Sequence, residues 1–165
     1  MKIRDIVIGL LVLLLLAGVI YWRQRSQRPE EVAVPQTLST EDKIEDKFNV
    51  QIPENVDKAE LKDVSGGNAS GLATRKFENE EFELGILADL PAAQTGSFYE
   101  GWISKGEEGK EGYEILSLGG LMVAKGGYLL DFKSVTNYSD YSKVIVSLEK
   151  SVGESPDKSV LEGSF

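Results

Sequence analysis

The hydrophobic pattern changes character three times along the chain. From Ile6 to Trp22 no charged or strongly polar side chain interrupts it. Seventeen such residues make a helix of about 25 Å at 1.5 Å per residue. That is slightly short of the ~30 Å hydrocarbon core, and Ile3 with a snorkelling Arg23 closes the gap. The run predicts one transmembrane helix over 6–22, after a short stub over 1–5. Tyr21 and Trp22 suit an interfacial belt. Their bulk, and the arginines that follow, make a poor site for signal-peptide cleavage. Residues 23–58 read as a linker, with Pro29 and Pro35 and little periodicity over its first part. A short helix over about 40–49 interrupts it: Ser39-Thr40 is followed by two acids, and Ile44 and Phe48, four apart, share one face. These two side chains are expected to dock the helix on the following domain rather than form a separate partner-binding stripe.

From Ala59 the period becomes two. Strands are expected at Ala59–Val64, Leu72–Phe77, Glu81–Leu90, Phe98–Ser104, Glu114–Met122, Gly127–Val135, Lys143–Glu149 and Ser159–Phe165, separated by Gly-, Asn- and Ser-rich turns. The third alternates, with Phe82, Leu84 and Ile86 inward and Glu81, Glu83 and Asp89 outward. Tyr128/Leu130/Phe132 and Val144/Val146/Leu148 are further inward faces. The fourth is apolar on both faces, Phe98 and Trp102 on one, Tyr99 and Ile103 on the other, and so should be central. Many short strands with frequent turns predict an all-β fold, an antiparallel β-sandwich over 59–165.

Composition narrows the chemistry. The 165 residues contain neither cysteine nor histidine. Thiol and Ser-His catalysis and the usual zinc sites are therefore excluded, and no cofactor is expected. From Pro29 onward there are 13 basic and 26 acidic residues, a net charge of −13. Such a surface repels phosphate backbones, so nucleic acid is not an expected partner.

A resemblance adds to this. The strand end Leu90-Pro91, the short loop, and Tyr99-Glu100-Gly101-Trp102-Ile103 resemble the extracytoplasmic domain of anti-sigma-K-type factors. Gly119-Gly120-Leu121, Gly127-Tyr128-Leu129-Leu130, the strand Val144–Glu149, the loop with Pro156 and the closing Val160–Phe165 follow in that family's order. The similarity spans roughly Ser70 to Phe165 and implies a β-sandwich outside the plasma membrane. In that family a cytosolic N-terminal domain holds the sigma factor. Here that side would be Met1–Asp5, too short to hold one, and without zinc-ligand cysteines or histidines. Lys2 and Arg4 on one side of the apolar run and Arg23, Arg25 and Arg28 on the other leave the positive-inside rule near a tie, leaning toward a cytoplasmic C-terminus. The resemblance favours the extracytoplasmic orientation, which is the one expected.

Candidate sites are sparse. Glu100 beside Trp102 is the best single acid for a hydrolytic site, against the plainer reading of a strand-face acid answered by a lysine or water. Trp102, Tyr138 and Tyr141 are the candidate partner-binding residues, the two tyrosines in a polar loop being the most exposed. Asp63 with Asn68, and Asn137 with Asp140, offer oxygen ligands without a calcium-loop spacing. The expectation is a single-pass, non-catalytic extracytoplasmic module for sensing or for binding a protein partner. The alternatives are a surface carbohydrate or peptide binder or hydrolase using Glu100, and an anchored cytoplasmic adaptor.

Overall fold

The computed structural model describes residues 38–165. The expected stub over 1–5, the apolar run over 6–22 and the linker before Leu38 lie outside the described residues. Among the described residues no helix is long and apolar enough to cross a membrane.

Helix α1, Thr40–Phe48, starts where a capping box closes. Ser39 Oγ accepts from the Asp42 N–H at 3.1 Å, and the Asp42 carboxylate accepts from the Ser39 N–H at 3.1 Å. Asn49, left-handed at φ 55°, ends it. Ile44 and Phe48 are buried against Leu72, with Ile52, Leu87 and Ala124 around them, so the helix docks on the sheet as its spacing predicted.

Nine strands follow: β1 Asp57–Asp63, β2 Ser70–Glu78, β3 Glu81–Asp89, β4 Phe98–Lys105, β5 Glu114–Gly120, β6 Met122–Ala124, β7 Gly127–Ser134, β8 Lys143–Glu149 and β9 Ser159–Ser164. They form one sheet in the order β5-β4-β8-β9-β1-β2-β3-β7-β6. Every pairing is antiparallel. The all-β expectation holds. The two-sheet sandwich is realised differently, as a single sheet curled until its opposed halves face each other.

The curl is closed by one segment. β5 and β6 end the sheet on opposite sides, yet only Leu121 separates them in the chain. The strand expected over Glu114–Met122 divides there. Gly119 takes φ 99°, a conformation that favours glycine, and the β4–β5 register shifts between Gly101 and Trp102. The Leu121 N–H still donates to the Tyr99 carbonyl at 2.8 Å, and from Met122 the chain pairs with β7 instead. Across the core, the Tyr99 and Tyr128 rings meet edge to face at 4.9 Å. Gly101 lets the halves approach: a Cβ there would lie 2.9 Å from Leu130 Cδ1.

The core inside the curl holds Phe82, Leu84 and Ile86 from β3, Tyr128 and Leu130 from β7, Val144 and Val146 from β8, and Leu61, Ile103 and Leu161. Phe132 and Leu148 lie half-buried at its edge. Arg75, in register with inward-facing Leu84, ties several elements together. Its Nη1 donates to the Tyr141 carbonyl at 2.7 Å, its Nε meets Asp57 at 3.2 Å, and its guanidinium lies 4.1 Å from the centre of the Phe165 ring.

Candidate functional site

The outward face of β2, β3 and β7 is ordered in rows. Register places Leu72, Leu87 and Leu129 side by side, then Thr74, Gly85 and Asp131, then Lys76, Glu83 and Lys133. The leucine row continues to Met122 on β6, which is largely exposed. The third row is an ion-pair cluster. Glu83 meets Lys76 at 2.9 Å and is also paired with Lys133, which reaches Glu81 at 3.2 Å. Hydrogen bonds from Lys133 and then Lys76 hold the Glu83 carboxyl below its usual range, and both lysines are raised in return.

Between an apolar row and a charged row, Gly85 contributes no side chain. Its position is a notch, with Thr74 on one side and Asp131 on the other. A Cβ at Gly85 would touch only Thr74 Oγ1, at 3.2 Å, and the Leu130 carbonyl, at 4.0 Å. The notch opens into a groove walled by the segment after α1. Its apolar half, about 250 Å³, is lined by Val50, Ile52, Leu72, Leu87 and Leu129. Its polar half, about 230 Å³, lies beside Pro53, Asn55, Lys76 and Glu83. Thr74, Gly85 and Asp131 line both halves. Asp131 is exposed, and among the described residues the ion pairs leave it unpaired. An apolar floor with one unpaired carboxylate at its rim suits a ligand that is greasy at one point and cationic at the next.

The residues singled out from sequence lie elsewhere. Trp102 is buried, on the face of β4 opposite Tyr99 and Ile103, and its Nε1 donates to Ser147 Oγ at 2.8 Å. Glu100 is buried beside it. Among the described residues its partner is a serine rather than a lysine: Oε1 accepts from Ser117 Oγ on β5. Glu149, also buried, accepts through its own Oε1 from Ser147 and from the Asp157 N–H at 3.0 Å. Each of these glutamates keeps its second oxygen buried and, among the described residues, without a hydrogen-bond partner. They are held by different partners, Glu100 toward β5 and Glu149 toward the loop after β8, and no hydrogen bond joins them.

Tyr138 and Tyr141 are not the exposed pair that their polar loop suggested. Tyr138 is half-buried and packs edge-on against Phe82 at 5.7 Å and Tyr141 at 5.4 Å. Tyr141 is buried and donates its hydroxyl to Glu114 at 2.7 Å. Burial first, then that hydrogen bond, pushes its phenol up, and Glu114 is held down by the same bond and by Lys105. The loop folds inward because its aromatics cover one end of the core.

Asp63 is occupied as well. Its carboxylate accepts from the backbone N–H groups of Ala69 at 2.9 Å, Gly67 at 3.0 Å and Ser65 at 2.7 Å. These bonds, that of Ala69 foremost, hold its pKa at about 2. Asn137 accepts from the Ser139 N–H at 2.9 Å, and Asp140 pairs with Lys105 at 3.0 Å. Asp63, Asn137 and Asp140 thus serve turns and ion pairs. Among the described residues no group of three acidic, histidine or cysteine side chains is placed to hold a metal.

Comparison of the chain with protein-family models, with curated proteins and with solved structures finds no match.

Proposed function

We propose that the chain is a membrane-tethered, non-catalytic module that binds a protein partner on the extracytoplasmic side. The groove over Gly85 carries this reading. It is a concave, partly apolar surface on the outside of a sheet whose core is already filled. The tether is supported by the apolar run Ile6–Trp22 and the Pro-containing segment that joins it to the β domain. Absence of catalysis is supported by the lack of histidine and cysteine, and by two buried glutamates that each commit one oxygen to structural partners, Glu100 to Ser117 and Glu149 to Ser147 and the Asp157 N–H. A role in anti-sigma-type regulation is what the resemblance over Ser70–Phe165 adds.

Fractionation with protease shaving tests the reading. The full chain should sediment with membranes and resist alkaline carbonate. Protease added to spheroplasts should cut between Pro29 and Ile52 and release an acidic β fragment. Recovery in the soluble fraction would remove the tether, and protection until lysis would favour the cytoplasmic adaptor.

A further inference from the structure

We propose that the groove over Gly85 takes an extended peptide segment of a partner protein, with an aliphatic residue at one position and lysine or arginine two positions on. The proposal rests on the partner-binding reading but not on the membrane tether.

Spacing is the first argument. The leucine row and the Thr74–Gly85–Asp131 row are two residues apart on every strand that carries them. At about 3.3–3.4 Å per residue the rows lie roughly 7 Å apart, the distance between side chains i and i+2 of any extended peptide. A peptide lying along the strands therefore sets one side chain on Leu87 and Leu129, beside the Leu72 that α1 covers, and the next on its own face into the notch.

Charge is the second. The notch ends at Asp131, which has no cation of its own among the described residues. Its neighbours facing the groove are Thr74 and, one row on, Lys76 and Lys133, both already held by Glu83, while Arg75, which also lines the polar half, is paired with Asp57. A cationic head entering over Gly85 meets Asp131 and the Thr74 hydroxyl without competing with an existing pair. An anionic head would meet Asp131 unshielded.

Charge also argues against a second copy of this chain. From Pro29 onward acids outnumber bases by 26 to 13, so a copy brings like charge to the groove. The absent side chain at Gly85 is the third argument. It is the one outward position of β3 between Glu83 and Leu87, and any larger residue there would fill the notch.

Fluorescence anisotropy tests this on the full chain in detergent micelles. The probe is a labelled peptide with a Leu-Thr-Lys core between Gly-Ser flanks. It should bind saturably, while Leu-Thr-Glu and Ser-Thr-Lys peptides bind more weakly by about fivefold or more. Asp131→Lys should invert the preference, losing the Lys peptide and gaining the Glu peptide. Gly85→Val should lose both, with the far-UV spectrum unchanged. If Gly85→Val does not fold, Gly85→Ala, whose Cβ meets only Thr74 Oγ1 and the Leu130 carbonyl, serves in its place. Wild-type protein without saturable binding, or binding indifferent to both positions, overturns the proposal. Sedimentation showing a dimer that the groove variants dissolve overturns it in favour of a second copy. Membrane sedimentation with no peptide binding defeats this inference and leaves the tether standing.

Discussion

Phe77 and Phe82 face each other in register across the β2–β3 hairpin, yet Phe82 is 0% exposed and Phe77 43%. The difference comes from what lies beyond them. Phe82 packs edge-on against Tyr138 at 5.7 Å and Phe132 at 6.5 Å, inside the curl. Phe77 sits at the rim. Phe82→Ala removes a fully buried ring and leaves a cavity that the surrounding strands cannot close, at a cost of about 3–5 kcal/mol. Phe77→Ala gives up only part of the ring's transfer energy and leaves no cavity, so its cost should be about 1 kcal/mol. The larger figure is a major fraction of the ~5–15 kcal/mol that holds a typical domain together. Urea unfolding of a fragment from Pro29 to Phe165 reads both costs. Of the chain's two tryptophans only Trp102 lies in that fragment, so fluorescence reports the core region directly. The midpoint should fall steeply for Phe82→Ala and slightly for Phe77→Ala, with unchanged slope. Equal losses, or a larger loss at Phe77, would mean that the sheet does not curl over β3 as described.

Further outcomes follow from single residues. Trp102→Ala should cost about 3–5 kcal/mol in the same assay, with Ser147 losing a donor, whereas Glu100→Gln should leave partner binding unchanged. Glu80 is left-handed at φ 62° in the two-residue turn between β2 and β3, so Glu80→Gly should raise stability by about 0.5–1 kcal/mol. Asp63, Glu83 and Glu114 are held below their free values in the folded protein, so the unfolded chain takes up protons first. Their contribution is complete above the free carboxylate range and is lost as pH falls from that range through their lowered folded values. For Asp63 that loss should run from its free value down to about 2, and Asp63→Asn should make the acid limb of a melting-temperature profile shallower.

Much of the fold was legible because alternation is a local signal. Seven of the eight expected strands sit within two residues of where Phe82–Glu83–Leu84 and its counterparts placed them, and Ser39 with Asp42 marked the helix start. What alternation cannot carry is register and long-range pairing. The break at Leu121 depends on β4 and β7 competing for one segment, and nothing in Glu114–Met122 alone shows it. The inward fold of Tyr138 and Tyr141 depends on an open end of the core that needs filling.

The groove was missed for a related reason. Its signals were present: Gly85 inside an alternating strand, and Leu87 and Leu129 at outward positions. Only the register that aligns them, and Asp131 beside them, turns three oddities into a surface.

The most direct test of that surface is photo-crosslinking in intact cells, with benzoylphenylalanine replacing Thr74 in the groove or Lys158 well away from it. One discrete adduct is expected from position 74 and none from position 158, with loss of that adduct when Gly85→Val is added. Adducts of equal yield from both positions, or an adduct at 74 that survives a filled notch, would contradict the groove as the binding surface.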